Sequence, residues 1–85
     1  AKDPKDYRAW YFLALSQEKL ARYKDAVLSR EAAKKQDPFN AENLLDLGRD
    51  YKAIKQNDKA KGIIDEIKSF APNSKEYKLA VTELD

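Results

Sequence analysis

Asp37-Pro38-Phe39-Asn40-Ala41-Glu42-Asn43 stops one helix and starts another within seven residues. The residue before a proline is pushed out of the α region, so Asp37-Pro38 closes the helix behind it. Asn40, two residues on, carries a side-chain oxygen that can accept an orphan backbone N–H and open the next helix. The same punctuation recurs in both directions. Pro4, Pro38 and Pro72 are the only prolines and stand 34 residues apart. Asp3 precedes the first and Ala71 the third, while Asp6 and Ser74 take the place of Asn40. Leu13 matches Leu47 and Ala26 matches Ala60 at the same offset. A fixed period of this length signals a repeat architecture.

Working outward, the apolar spacing predicts five helices. Residues 6–20 carry Trp10, Leu13, Ala14 and Leu20 at three- and four-residue steps, and a turn follows at Ala21-Arg22. A second helix over 23–36 turns Tyr23, Ala26, Val27 and Ala33 inward. The third, over 41–54, uses Leu44, Leu47, Gly48, Tyr51 and Ile54, and Gln56-Asn57-Asp58 supplies the next turn and cap. The fourth, over 58–70, uses Ala60, Ile63, Ile64, Ile67 and Phe70. The last, over 75–84, has a stripe of Tyr77, Ala80, Val81 and Leu84, with Glu76, Lys78 and Glu83 on its wet side. Two helices per period make a stack of helical hairpins, and a single hairpin cannot bury its own apolar face. The fifth helix is therefore expected to cover the second hairpin.

The residues at these positions resemble the tetratricopeptide repeat. Its pattern falls once on Trp10, Leu13, Ala14, Gln17, Ala26, Arg30 and Pro38. It falls again on Leu44, Leu47, Gly48, Tyr51, Ala60, Ile64 and Pro72. The chain departs from it with Gln17 for tyrosine, Arg30 for an aromatic, and Asn57 where the first repeat has Tyr23. The resemblance implies an all-α fold of two antiparallel hairpins and a capping helix in a right-handed superhelical stack. It implies one domain over 1–85, with repeats at 5–38 and 39–72 and the cap at 73–85. Ala14 and Gly48 then sit where one helix approaches its mate, answered by Ala26 and Ala60. Gly62 offers close approach to a neighbouring helix. Asp37 to Asn43 and Ser69 to Ser74 are also similar to repeat tails appended to bacterial O-antigen ligase or polymerase-like membrane proteins.

Composition narrows the function class. The 85 residues are 42% apolar and 38% charged, with net charge +2 from 17 basic and 15 acidic residues. Both signs are spread along the chain, so we read solvated helix faces, supported by i,i+4 pairs such as Glu18 with Arg22 and Glu31 with Lys35. A nucleic-acid surface would need a one-sided basic run, and none occurs. No apolar run approaches the roughly 18 residues that span a bilayer, so no membrane insertion is expected of these residues. Either the cytoplasm or the periplasm suits a chain without cysteine. With Ala1 first and no Met, the chain reads as a segment of a longer protein.

Catalysis is not expected. Without His or Cys the usual base, thiol nucleophile and transition-metal ligands are missing, and no glycine loop cradles a phosphate. Neither a cofactor nor a metal is expected. Ser16, Ser29, Ser69, Ser74 and Thr82 show no activating partner, and the carboxylate pairs Asp46/Asp50 and Asp65/Glu66 read as solvated.

What remains is surface. In tetratricopeptide folds the first helix of each hairpin lines a concave groove that holds a partner segment. The resemblance places Arg8, Tyr11, Phe12, Leu15 and Lys19 there from the first helix, and Glu42, Leu45, Asp46, Arg49 and Lys52 from the third. Tyr11, Phe12, Leu15 and Leu45 form an apolar strip rimmed by charge, which fits a binding site or packing against neighbouring helices. The clamp that grips chaperone C-termini needs lysine, asparagine and arginine where this chain has Tyr11, Leu15, Asp46, Glu76 and Ala80, so that partner is disfavoured. The leading expectation is a non-catalytic module that binds a peptide or protein segment. The alternatives are the accessory tail of a larger bacterial membrane enzyme and a self-associating unit that docks a second copy as a homo-oligomer.

Overall fold

The computed structural model describes residues 7–85. Among them it has five helices and no strand: α1 Tyr7–Lys19, α2 Tyr23–Gln36, α3 Ala41–Ala53, α4 Asn57–Phe70 and α5 Lys75–Leu84. The all-α expectation holds, and α2 and α5 occupy the spans that the spacing predicts. Asp3, Pro4 and Asp6, with the first proline's cap, lie outside the described residues.

The expected caps are present at two helices. Asn40 Oδ1 accepts from the Asn43 N–H at 3.0 Å, and Ser74 Oγ accepts from the Tyr77 N–H at 3.1 Å. The cap expected from Gln56-Asn57-Asp58 does not form. Asn57 is already helical, and Gln56 stands at the N-cap without a side-chain bond, as Arg22 does before α2. These two helices start directly out of tight left-handed closures. Ala21 and Lys55 adopt φ of 58° and 65°. The Arg22 N–H reaches Gln17 O and the Gln56 N–H reaches Tyr51 O, both at 2.8 Å. This is the Schellman closure, made here by side-chain-bearing residues at a cost of about 1–2 kcal/mol each. Asp37 and Ala71 form a second matched pair, with φ of −143° and −141°. Their N–H groups reach Ala33 O and Ile67 O at 2.9 and 2.7 Å. Both matched pairs keep the spacing of the prolines, so the period is written into the backbone.

Consecutive helices pack on one another, and α5 lies on both α3 and α4. The core gathers Val27, Leu44, Leu45, Leu47, Tyr51, Ala60, Ile63, Ile67, Ala80 and Leu84. Ala14 and Ala26 are wholly buried outside this cluster, on helices α1 and α2, which pack closely on each other. α3 is central, flanked by α2, α4 and α5, whereas α1 packs chiefly on α2.

That difference corrects several expectations. Leu47 is fully buried, but its counterpart Leu13 is 44% exposed and Leu20 is 66% exposed, because among the described residues no helix covers the far side of α1. Tyr23 is 36% exposed, and Val81 is exposed on the uncovered side of α5. The atoms nearest to a Cβ on Gly48 belong to Leu84 of α5, and a Cβ on Gly62 would meet no atom within 4 Å, so Gly62 marks no close approach. The expected i,i+4 partners also turn elsewhere: Glu18 binds Arg30, and Glu31 accepts from Tyr51 Oη at 2.5 Å.

Candidate partner-binding face

The α1 residues expected at a groove split by exposure. Arg8, Phe12 and Lys19 face solvent, while Tyr11 and Leu15 are half-buried. Phe12 is 62% exposed and meets the Tyr11 ring edge to face, with centroids 5.6 Å apart. The Tyr11 ring lies 5.0 Å from the Arg30 guanidinium, within cation–π range. Burial, and then Glu42 of α3, push the Tyr11 hydroxyl above its ordinary pKa.

On α3 the expectation needs correction. Leu45 is only 4% exposed and belongs to the core. A helix flanked on several sides has little free face, and α3 buries Asn43, Leu44, Leu45, Leu47, Gly48, Asp50 and Tyr51. Asp46 is half-buried. Arg49 remains accessible but is committed: its Nε and Nη2 donate to Glu83 of α5 at 2.7 and 2.9 Å, and its Nη1 donates to Asp46 at 2.9 Å. The fork on Glu83 raises the Arg49 pKa and lowers that of Glu83. Glu42 is exposed, and Lys52 donates to the Glu83 carbonyl at 3.2 Å.

Beneath this face lies a polar network that the periodicity does not reveal. Arg30, standing at an aromatic position of the repeat pattern, is completely buried. Its Nε and Nη2 fork onto Glu18 at 3.0 and 2.9 Å, and Nη1 donates to Asn43 Oδ1 at 3.1 Å. Asp46 Oδ2 stands 3.4 Å from Nη2, and Asn43 Nδ2 returns a bond to Arg30 O at 3.2 Å. A buried guanidinium requires such complete pairing. Asp46 and Asp50, read from sequence as solvated, both belong to this neighbourhood.

Asp50 is the exception among satisfied groups. It is 3% exposed, and its Oδ2 meets no hydrogen-bond donor. Burial, followed by the neighbouring Glu18 carboxylate, pushes its pKa up to about 9, so it is protonated at neutral pH and donates to Glu18. Burial opposes ionisation of Glu18 too, but the bonds from Arg30 and Asp50 prevail and hold it below the usual carboxylate range. Burial raises Asp46 against the pull of Arg30 and Arg49. A cleft of about 350 Å³ opens here, lined by Glu18, Tyr23, Asp46, Arg49, Asp50 and Ala53.

Comparison of the chain with known protein families and with curated proteins finds no match to either. The face is therefore read on its own chemistry. Four hydroxyls elsewhere in the chain are engaged: Ser29 Oγ donates to Gln17, Ser69 Oγ to Glu66 O, Ser74 Oγ to Ala71 O and Thr82 Oγ1 to Lys78 O. None of these four donates to a carboxylate that could activate it. The accessible assets are an aromatic pair on α1, the ionic rim of α3 and α5, and the acidic cleft between them. Sequence reasoning missed Glu18, Arg30, Asn43 and Asp50. The one signal for them was the charged residue at an aromatic repeat position.

Proposed function

We propose that this chain is a non-catalytic interaction module of tetratricopeptide type, two stacked helical hairpins closed by α5, that holds a peptide or protein segment against α1 and α3. The observation that carries the reading is Phe12. A large apolar side chain standing 62% exposed beside a half-buried tyrosine is what an anchor for a partner side chain requires. Asp46, Arg49 and Glu83 add a set of fixed charges on α3 and α5 that a bound segment could meet as a polar rim. Leu45 drops out of the contact set, leaving Arg8, Tyr11, Phe12, Leu15, Lys19, Asp46 and Arg49. The same surface would serve an appended segment of a larger bacterial membrane enzyme. Among the described residues no helix is long and apolar enough to cross a membrane.

Selection of random displayed dodecapeptides on the chain tests the reading. Enriched peptides should lose at least about tenfold in affinity on Phe12→Ala, a loss of 1.4 kcal/mol or more at an anchor. Failure to enrich any peptide, or equal binding by Phe12→Ala, refutes it.

A further inference from the structure

We propose that the outer face of α1 docks an amphipathic helix of a partner chain, one whose apolar stripe is flanked by acidic residues. The inference goes beyond the groove reading, with which it shares Phe12 alone. Ala9, Phe12, Leu13, Ser16 and Leu20 recur at three- and four-residue steps, and all are exposed. That spacing lines one face of a helix, here the face opposite the wholly buried Ala14. No charged residue interrupts it. Advanced by one 34-residue period, the five positions become Asn43, Asp46, Leu47, Asp50 and Ile54, on α3 and its C-cap. There the same face is covered by the hairpin before it: Asn43 and Asp46 meet Arg30 of α2, and Leu47 is fully buried. Among the described residues α1 has no such cover. The interface already built between α2 and α3 therefore continues as an open seat on α1. Its occupant stands where α2 stands against α3, and that place takes a helix.

The chemistry of the seat decides which helix. Where α3 presents Asn43, Asp46 and Asp50, α1 presents alanine, phenylalanine and serine. A helix that buries an arginine, as α2 does, would find no counter-charge here, whereas an apolar stripe fits. Ala9 and Ser16 are small and leave recesses on either side of Phe12 and Leu13, into which the ridge of a facing helix packs. Lys19 stands exposed on the Phe12 edge, with Arg8 along the same edge, so acidic flanking residues complement it. A second copy does not meet that need. Glu18 is the only acid on α1, and it is turned inward onto Arg30. With 13 residues α1 is about 20 Å long, so one docked helix buries less than the roughly 1,200 Å² of stable interfaces and should exchange rapidly.

The test is a ¹⁵N–¹H titration of the chain at low salt with three synthetic peptides of about five helical turns. The first carries leucines at three- and four-residue steps flanked by glutamates, the second has lysines for the glutamates, and the third is a scramble of the first. The glutamate-flanked peptide should shift the amides of Phe12, Leu13, Ser16 and Leu20 saturably, and the scramble should not. The lysine-flanked peptide should bind about two- to fivefold more weakly, the worth of an exposed ion pair. Leu20→Glu, at a mostly exposed position, should weaken the glutamate-flanked peptide about tenfold or more with an unchanged melt. Lys19→Glu should reverse the preference between the two charged peptides, which a merely structural effect would not do. No response, an equal response to the scramble, unchanged binding by Leu20→Glu or an unreversed preference would overturn the proposal. A dimer seen by light scattering and dissolved by Leu20→Glu would overturn it too, because the face would then belong to a second copy. Displayed peptides that depend on Phe12, with no response to the helical peptide, would sink only this face. A helical response with displayed peptides indifferent to Phe12→Ala would sink only the groove.

Discussion

Leu84 of α5 occupies the space beside Gly48 of α3 that any larger residue would claim. A Cβ at position 48 would lie 3.2 Å from Leu84 Cδ2, 3.3 Å from Cγ and closer still to Cδ1. Leu84 is 1% exposed and cannot swing into solvent without leaving the core. Overpacking costs about 1–3 kcal/mol, and alanine recovers about 1 kcal/mol of helix propensity. Gly48→Ala should therefore lower unfolding stability by up to about 2 kcal/mol, seen as a lower urea midpoint. In a Leu84→Ala background the same substitution should cost nothing further, because the collision is gone.

Gly62 is the control. It also lies inside a helix, but a Cβ there would meet open space. Gly62→Ala should stabilise the chain by about 0.5–1 kcal/mol through backbone entropy alone, raising the melting temperature by a few degrees. A loss of stability would show that the surface around α4 is more crowded than it stands here.

Arg30 joins α1, α2 and α3 through Glu18, Asn43 and Asp46. Removing one member of a buried ionic set costs about 3–5 kcal/mol, because the remaining charges lose their partner. For a domain with stability of order 5–10 kcal/mol, Arg30→Ala should leave the chain close to unfolding. Arg30→Met combined with Glu18→Gln should recover much of the loss, since it removes the charge together with its counter-charge. Circular dichroism melts of the three chains decide the matter.

The helices were legible because their signals are local. Proline, cap and three-to-four spacing fix where a helix stops and starts; α3 and α5 carry all of them, and α2 has the spacing and the closing proline. Burial was less legible, because it depends on neighbours. Leu13 and Leu47 are the same residue at the same place in the repeat, yet one is exposed and the other buried, since α1 and α3 have different surroundings. Leu45 was misread for the same reason: an apolar residue turned away from α4 is free only if nothing else covers α3. Arg30 was visible as a departure from pattern, but its partners come from both neighbouring helices, and no local spacing predicts them.

The Asp50 carboxyl should tie stability to pH. Its ordinary value of 3.8 is raised to about 9 in the folded chain, first by burial and then by Glu18. Between those values the folded state holds a proton that the unfolded state releases, so stability should fall as pH rises. One such proton amounts to at most about 1.4 kcal/mol per pH unit. Glu18 acts in the opposite sense, its contribution being lost only as pH drops below the carboxylate range. From pH 6 to 8.5 the urea midpoint of the wild-type chain should decline, while that of Asp50→Asn should decline less. Parallel lines for the two proteins would mean that Asp50 is already ionised and partnered at pH 6.

Phe12 and Leu45 separate binding from folding. Both are apolar, and both sit on helices that the proposed groove would use, yet Phe12 is 62% exposed and Leu45 is 4% exposed. Truncating a buried leucine removes its transfer energy and leaves a cavity, so Leu45→Ala should cost about 2–5 kcal/mol. Phe12→Ala removes surface that is already wet apart from its edge contact with Tyr11, and should change stability by less than about 1 kcal/mol. Affinity for a selected peptide should show the reverse pattern. At a temperature where both variants are folded, Phe12→Ala should weaken binding markedly, and Leu45→Ala should bind nearly as the wild type does. If Phe12→Ala melts as early as Leu45→Ala, the exposed ring is holding the fold together. The binding face would then have to be sought away from α1.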